Sequence, residues 1–189
     1  TTSFGQFRQR RGARAMTTAT GIGASVRRKE DFRFITGQGN YVDDLSRPGQ
    51  VYAYFVRSPH AFAKIKKVDT AKAKTMPGVV AVYTGADTAA DKVGGLICGW
   101  TVKGKSGEPH KAPPHPVMGV THVRHVGDQV AVVIAHSVAQ ARDAAEAVAV
   151  DYEVLTPVVD VRDALEAGAA EVHPEAPGNL CYDWELGDK

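Results

Sequence analysis

The sequence has little cysteine and no long apolar run. Its 189 residues include only two cysteines, Cys98 and Cys181. Two such distant cysteines exclude a disulfide framework and a cysteine-based zinc site, because both use closely spaced pairs. The longest aliphatic run, Val130 to Ala135, is six residues long, whereas a membrane-spanning helix needs about 20. We therefore expect no membrane span and a reducing compartment, with the cytoplasm as the predicted location.

Acidic residues are absent from the first 29 positions, which contain seven basic residues. The remaining chain holds 16 basic and 21 acidic residues, a net charge of −5. A basic arm can bind nucleic acid or direct a protein to an organelle. Only Phe4 and Phe7 offer stacking rings here, and no basic face extends the arm. We therefore predict that residues 1–20 form a disordered basic tail that binds no nucleic acid; DNA binding through the arm is the minor alternative.

The order of the apolar segments predicts an α+β fold. Strands are expected at residues 51–56, 62–68, 79–83, 123–126, 129–135 and 148–155. Short helices are expected at residues 70–76, 137–148 and 161–166. Hairpin-like neighbours and crossover helices both occur in this order, which favours a mixed sheet with two or three helices.

The helix after Ser137 has the clearest starting signal. Ser137 and Gln140 have the spacing of a capping box, in which the serine oxygen accepts a hydrogen bond from the backbone N–H three residues on. Small and apolar residues then follow at helical spacing. We therefore expect this helix to lie close against a sheet.

Residues 85–119 form a segment of different composition. They include seven glycines and four prolines, which predicts a long irregular loop. Loops of this length inside a compact domain are uncommon unless they are functional, partner-facing or mobile. The segment also contains several large apolar residues, which are expected either to fold back on the core or to meet a partner: Leu96, Ile97, Trp100, Val117 and Met118.

Nucleotide-binding patterns occur without their required context. Residues 99–106 match G-x-x-x-x-G-K-S, but the glycines and prolines that follow cannot form the helix that would hold a phosphate. The G-x-G patterns at Gly21 and Gly37 lack the third glycine of a dinucleotide-binding turn. We interpret all three as chance matches.

The histidines offer no metal site by spacing. His122 and His125 are expected on opposite faces of one strand, so that both could not bind one metal ion. His110 and His115 lie beside prolines in the loop and are expected to be solvated. A G-x-S-x-G nucleophile turn is absent. The sequence therefore predicts no catalytic, cofactor-binding or metal-binding residue in this chain.

Several ordered segments together resemble one family. The chain reads GIGASVRRKED at 21–31, GQGNYVDD at 37–44, FVRSPHA at 55–61, MPGV at 76–79, HVGDQVA at 125–131, VDYE at 150–153 and WELGDK at 184–189. In this order they resemble the opening of molybdenum hydroxylase large subunits, the family of aerobic carbon monoxide dehydrogenase, xanthine dehydrogenase and aldehyde oxidase. The resemblance spans residues 21–189, and it departs at Phe62 and Lys64, where the family often has histidine and arginine.

The resemblance implies a structural domain of a longer enzyme. It implies an α/β hammerhead domain at residues 21–168 and an extended linker at 169–189 toward a missing downstream domain. Molybdopterin pockets, the glutamate base and the substrate loops lie in later domains of the family, so no catalytic or cofactor residue is carried over. The parent is expected to oxidise carbon monoxide, an aldehyde or an N-heterocycle, using molybdopterin cytosine dinucleotide, with FAD and [2Fe–2S] clusters on partner subunits or domains.

Two interpretations of the chain alone stay open. It is either the inactive hammerhead portion of that subunit or a free-standing non-catalytic interaction module of the same fold. In the first case the chain is a fragment of the subunit or one piece of a split subunit. In either case its matched glycines are expected at turns that need positive φ or close backbone approach: Gly37, Gly39, Gly78 and Gly127. Arg57 and Asp128 are expected to be simple surface charges, with inter-domain ion pairs as the alternative.

Overall fold

The computed structural model describes residues 21–24 and 28–187. The chain divides into two units, residues 1–47 and 48–189. The predicted basic tail, residues 1–20, lies outside the described residues. The boundaries predicted at 21–168 and 169–189 stay a prediction.

The described part of the smaller unit contains a short helix, α1 (Asp31–Ile35), and a 3-10 turn at Val42–Asp44. The rings of Phe34 and Tyr41 stack with their centroids 5.3 Å apart. A Cβ atom at Gly39 would lie 2.6 Å from the Phe34 ring, so only glycine fits beneath this aromatic pair. The expectation of a close approach at Gly39 is confirmed.

The larger unit contains the other helices and strands. In chain order these are β1 (Tyr52–Arg57), β2 (Ala63–Asp69), α2 (Ala71–Lys74), β3 (Val79–Thr84), α3 (Gly85–Ala90), β4 (His122–Val123), β5 (Gln129–Ala135), α4 (Val138–Glu146) and β6 (Ala149–Val154). Two 3-10 turns follow, at Asp163–Leu165 and Pro177–Asn179.

The six strands form two three-stranded sheets. The first sheet has the order β1-β5-β3, and the second has the order β4-β2-β6. Every strand pair in the two sheets is antiparallel. The expected α+β class is confirmed, but the mixed sheet is replaced by two antiparallel sheets, with four α-helices in the described chain. β5 runs antiparallel to both β1 and β3, so the first sheet contains no parallel strand pair.

Helix α4 covers one face of the first sheet. Ala131 and Val133 of β5 are fully buried, as is Ala144 of α4, and all three belong to one apolar cluster. The small side chains allow the helix to lie close to the strands, as the sequence predicted. A second cluster, around Ala63, Val123 and Val130, joins the second sheet to the beginning of β5.

Three short elements differ from the predictions. Helix α3 lies inside the segment expected to be irregular; it begins where Asp87 Oδ2 accepts hydrogen bonds of 2.7 Å from both the backbone N–H and the hydroxyl of Thr84. The strand expected at 123–126 is only the two-residue β4, and the helix expected at 161–166 is only a 3-10 turn. Elements this short depend on a few hydrogen bonds rather than on hydrophobic periodicity, which is the main sequence signal for helices and strands.

The predicted glycine turns are present. Gly37, Gly78 and Gly127 have φ of +72°, +80° and +89°, a region that side chains disfavour. A Cβ at Gly78 would also collide with the side chain of Gln140. The positive φ is therefore the main reason for glycine at position 78, and a side chain there would also make the end of the Gln140 side chain move.

The predicted cap of α4 is confirmed and gives a test. Ser137 Oγ accepts a hydrogen bond of 3.2 Å from the Gln140 N–H, and its hydroxyl donates to Gln140 Oε1 at 3.1 Å. Ser137→Ala should lower the free energy of unfolding by about 1 kcal/mol, because one helix N–H loses its acceptor. Ser137→Asp should be nearly neutral, since aspartate also caps and suits the positive helix end.

Urea denaturation followed by circular dichroism measures both changes. Ser106→Ala, in an exposed turn, is the matched control and should leave the denaturation midpoint unchanged. Equal large losses in Ser137→Ala and Ser137→Asp would show that Ser137 has a role other than capping.

Candidate functional site: the loop–tail surface

The glycine- and proline-rich segment folds back on itself. Leu96 forms an isolated antiparallel bridge with His115, and Lys103 forms another with Pro109. The Leu96 N–H donates to the His115 carbonyl at 2.9 Å. The segment after α3 is therefore an irregular double-stranded lobe rather than an open loop.

The C-terminal part of the described chain runs along this lobe. The Lys111 N–H donates to the Cys181 carbonyl and the Lys105 N–H to the Asp183 carbonyl, both at 2.9 Å. The Lys105 ammonium also lies 3.2 Å from the Asp183 carboxylate. Trp100 and Trp184 meet edge to face, with centroids 5.9 Å apart. We call residues 94–118 together with 180–187 the loop–tail surface.

Large apolar side chains of this surface face solvent. Ile97 is 92% exposed, Leu186 87% and Leu96 73%. Val102 and Met118 are exceptions, since both are buried. The apolar loop residues were expected either to pack on the core or to contact a partner. Met118 packs on the core, while Leu96 and Ile97 are exposed and available for a partner.

Asn179 ties the tail to the larger unit, a role that the sequence analysis missed. Its Oδ1 accepts from the Val172 N–H at 2.9 Å, and its Nδ2 donates to the carbonyls of Ala164 and Ala170 at 3.0 Å. Its φ of +57° lies in the left-handed region, where asparagine is tolerated better than most residues. The sequence signal was Pro177-Gly178-Asn179, a turn-forming run.

The G-x-x-x-x-G-K-S match is part of the same surface. The next described element after residues 99–106 is strand β4, so the segment does not open directly into a helix, as expected from the sequence. Lys105, which would contact phosphate in a nucleotide-binding loop, is paired with Asp183 instead. The segment thus lacks the aligned backbone N–H groups that a phosphate needs.

A cavity of about 220 Å³ beside the lobe is rich in histidine. His122 and His125 line it together, so the expectation that they face apart is wrong. The reason is that β4 ends at Val123, and the Arg124 N–H then donates to Asp128 Oδ2 at 2.9 Å in a turn that redirects His125. His115 and His173 also line this cavity.

The lining of the cavity includes a cation, Arg124, and a carboxylate, Asp128. Burial, aided by Arg124 and Lys64, lowers the pKa of His122 below its ordinary value. Burial, aided by Arg124, also lowers the pKa of His173, against an opposing effect of Glu175. The Arg124 Nε donates to the Val172 carbonyl at 3.1 Å, and its charge acts on both imidazoles.

Two further interpretations of polar residues need correction. His110 is half-buried rather than solvated: its Nδ1 accepts from the Val102 N–H at 3.3 Å, and its Nε2 lies 3.5 Å from Cys98 Sγ. Asp128 is not a simple surface charge, because its side chain is only 14% exposed and closes the turn at Arg124. Arg57 is exposed and donates to the Gly127 carbonyl at 2.8 Å.

The described residues contain no group of three or more histidine, cysteine, aspartate or glutamate side chains placed to hold a metal ion. Among the described helices, none is long and apolar enough to cross a membrane.

The two histidines with lowered pKa values predict a pH dependence of stability. The unfolded chain takes up protons first, near the ordinary pKa of 6.5. Stability is therefore fully present above that value and falls as the pH drops below it. Urea midpoints at about pH 7.5 and about pH 5.5 measure the loss, a range in which carboxylates stay ionised. The double variant His122→Gln, His173→Gln should flatten the curve; an unchanged slope would contradict the assignment.

The loop–tail geometry also predicts that residues 99–106 do not bind ATP. Isothermal titration of the chain with Mg-ATP should show no saturable heat, and Lys105→Ala should behave like the unaltered chain. A micromolar affinity that Lys105→Ala abolishes would contradict this prediction.

Comparison with known proteins identifies relatives of the larger unit. The family model described as "Aldehyde oxidase and xanthine dehydrogenase, a/b hammerhead domain" matches residues 36–156. The chain is 39% identical to the carbon monoxide dehydrogenase large chain of Afipia carboxidovorans, over 89% of this chain and 21% of that protein. It is 32% identical to the xanthine dehydrogenase molybdenum-binding subunit of Escherichia coli O157:H7, over 74% of this chain and 18% of that one.

Solved structures agree with the sequence relatives. Quinoline 2-oxidoreductase from Pseudomonas putida 86 superposes with a TM-score of 0.64 at 39% identity, over 78% of this chain and 18% of that chain. The chain thus spans about a fifth of the length of the relatives that it matches. Since the family model covers more than half of the chain, the chain belongs to the aldehyde oxidase and xanthine dehydrogenase family, of which it carries the α/β hammerhead domain.

Proposed function

We propose that this chain is the N-terminal, structural domain of a molybdenum-dependent hydroxylase or dehydrogenase large subunit, and that it holds the catalytic domains through the loop–tail surface. The family membership and the short span relative to its relatives support this function. The predicted boundaries, with the hammerhead at residues 21–168 and a linker at 169–189, belong to the same proposal. Its location would be the cytoplasm.

The reaction would take place outside this chain. Relatives are named for carbon monoxide, for xanthine and for quinoline, so the proposed parent oxidises carbon monoxide, an aldehyde or an N-heterocycle. Its cofactors would be molybdopterin cytosine dinucleotide in later domains and FAD and [2Fe–2S] clusters on partners. The described residues offer no donor set for a metal, so no step of the reaction is assigned to them.

The single observation that carries the docking role is the exposure of the loop–tail surface. Leu96, Ile97 and Leu186 are each more than two thirds exposed, and they lie on a lobe held in place by backbone hydrogen bonds. Contiguous apolar patches on an ordered scaffold mark protein contact sites. Fully burying one such side chain contributes about 1.5–3 kcal/mol. Covering the patch would therefore stabilise both this domain and its attachment.

Hydrogen–deuterium exchange of the assembled enzyme tests this function. Residues 90–118 and 176–187 should exchange faster in the isolated 189-residue chain than in the holoenzyme, because a partner covers them only in the holoenzyme. The backbone of β5, already inside the first sheet, serves as the internal control and should be protected in both samples.

Two outcomes would contradict the proposal. Strong protection of both segments in the isolated, monomeric chain would mean that the surface closes on itself. Unchanged fast exchange in the holoenzyme, or the absence of any longer subunit, would favour the free-standing interaction module instead.

A further inference from the structure

The first sheet has a second apolar face, opposite α4. Strand register places Phe55 and Tyr83 on either side of Val132, and the next row places Ala53 and Ala81 on either side of Ile134. Phe55 is 38% exposed and Tyr83 45% exposed. These six side chains are the open face of the first sheet.

The composition of β5 shows that this face is built to be covered. In an antiparallel sheet with one solvent-exposed face, each strand alternates apolar and polar residues, because only one face packs against the core. In β5, Ala131 and Val133 are buried against α4, yet the intervening Val132 and Ile134 are apolar as well. A strand that is apolar on both faces is typical of a sheet packed on both sides.

We propose that one amphipathic helix from outside residues 1–189 of the same large subunit packs on this open face. The inference rests on the proposed function, which supplies the longer subunit; the relatives have about four fifths of their length outside the matched region. The helix would lie opposite α4 and turn the first sheet into the middle layer of a three-layer arrangement.

The dimensions of the face fit a single helix. Neighbouring strands lie about 4.8 Å apart, so the outer strands β1 and β3 are separated by about 10 Å. An α-helix with its side chains is about 10–12 Å wide. Helix α4 already spans the same three strands on the opposite face, which shows that the sheet accepts a helix in this way.

The rim of the face carries a positive charge. The Arg57 guanidinium lies 5.9 Å from the centroid of the Phe55 ring, held by the Gly127 carbonyl. The occupant is therefore a helix with an apolar stripe and a carboxylate beside it. A second copy of this chain fits less well, because two-fold pairing through this face would bring two Arg57 side chains to one interface.

Site-specific photocross-linking tests the occupant directly. Tyr83→p-benzoylphenylalanine in the large subunit, purified within its holoenzyme, places the reactive ketone on the open face. Irradiation should give an intramolecular cross-link to an apolar helical peptide outside residues 1–189, identified by mass spectrometry. Arg142→p-benzoylphenylalanine, on the exposed side of α4, is the matched control and should give no such cross-link.

The alternative outcomes are distinct. A cross-link into residues 1–189 of a second copy, or no cross-link, overturns the inference. If Tyr83→p-benzoylphenylalanine fails to fold, Phe55→p-benzoylphenylalanine reports on the same face. Trp100→p-benzoylphenylalanine places the same probe on the loop–tail surface. A cross-link from position 100 without one from position 83 overturns this inference but supports the proposed function. Cross-links at neither position contradict both.

Discussion

The close fit of α4 on β5 is the constraint on which the larger unit depends. β5 is the middle strand of the first sheet, and Ala131 and Val133 meet Ala144 without space between them. A larger side chain at Ala144 would force the helix away and cost about 1–3 kcal/mol. The start of β5 is fixed too, because the Ser58 N–H donates to the Asp128 carbonyl and the Gly127 N–H to the Ser58 carbonyl, both at 2.8 Å. The turn that leads into β5 therefore has a defined position.

This constraint explains which elements the sequence predicts well. The first sheet and α4 were predictable, because long apolar strands and a capped, periodic helix are visible locally. Helix α3 was not, since its six residues are small and polar and its only local signal is the pair Thr84 and Asp87. β4 was overestimated because its length is set by pairing with β2, where Val123 lies opposite Ala63. That partner is 60 residues away in the chain, outside any local pattern.

The candidate site, too, could be predicted from the sequence only in part. Composition alone indicated an irregular segment whose apolar side chains contact the core or a partner protein. It could not indicate that Met118 folds inward, which follows when the adjacent Gly119 N–H donates to the Gln129 carbonyl at 2.7 Å. It also could not bring His122 and His125 into one cavity, because the turn at Asp128 that redirects His125 is a side-chain-to-backbone bond. Asn179 acts through three backbone groups that precede it by 7, 9 and 15 residues, which no spacing rule describes.

The distribution of large side chains links the two apolar surfaces to stability. The largest fully buried side chains among the described residues are valines, while the rings of Trp100 and Tyr83 are substantially exposed. A core of alanine and valine removes little apolar area from water per residue, and each large side chain left outside forgoes about 1.5–3 kcal/mol of burial. Much of the hydrophobic free energy encoded in this chain is therefore released only when its outer surfaces are covered. If the proposed attachment takes place, folding and attachment are linked, because binding to the folded state alone adds directly to its stability.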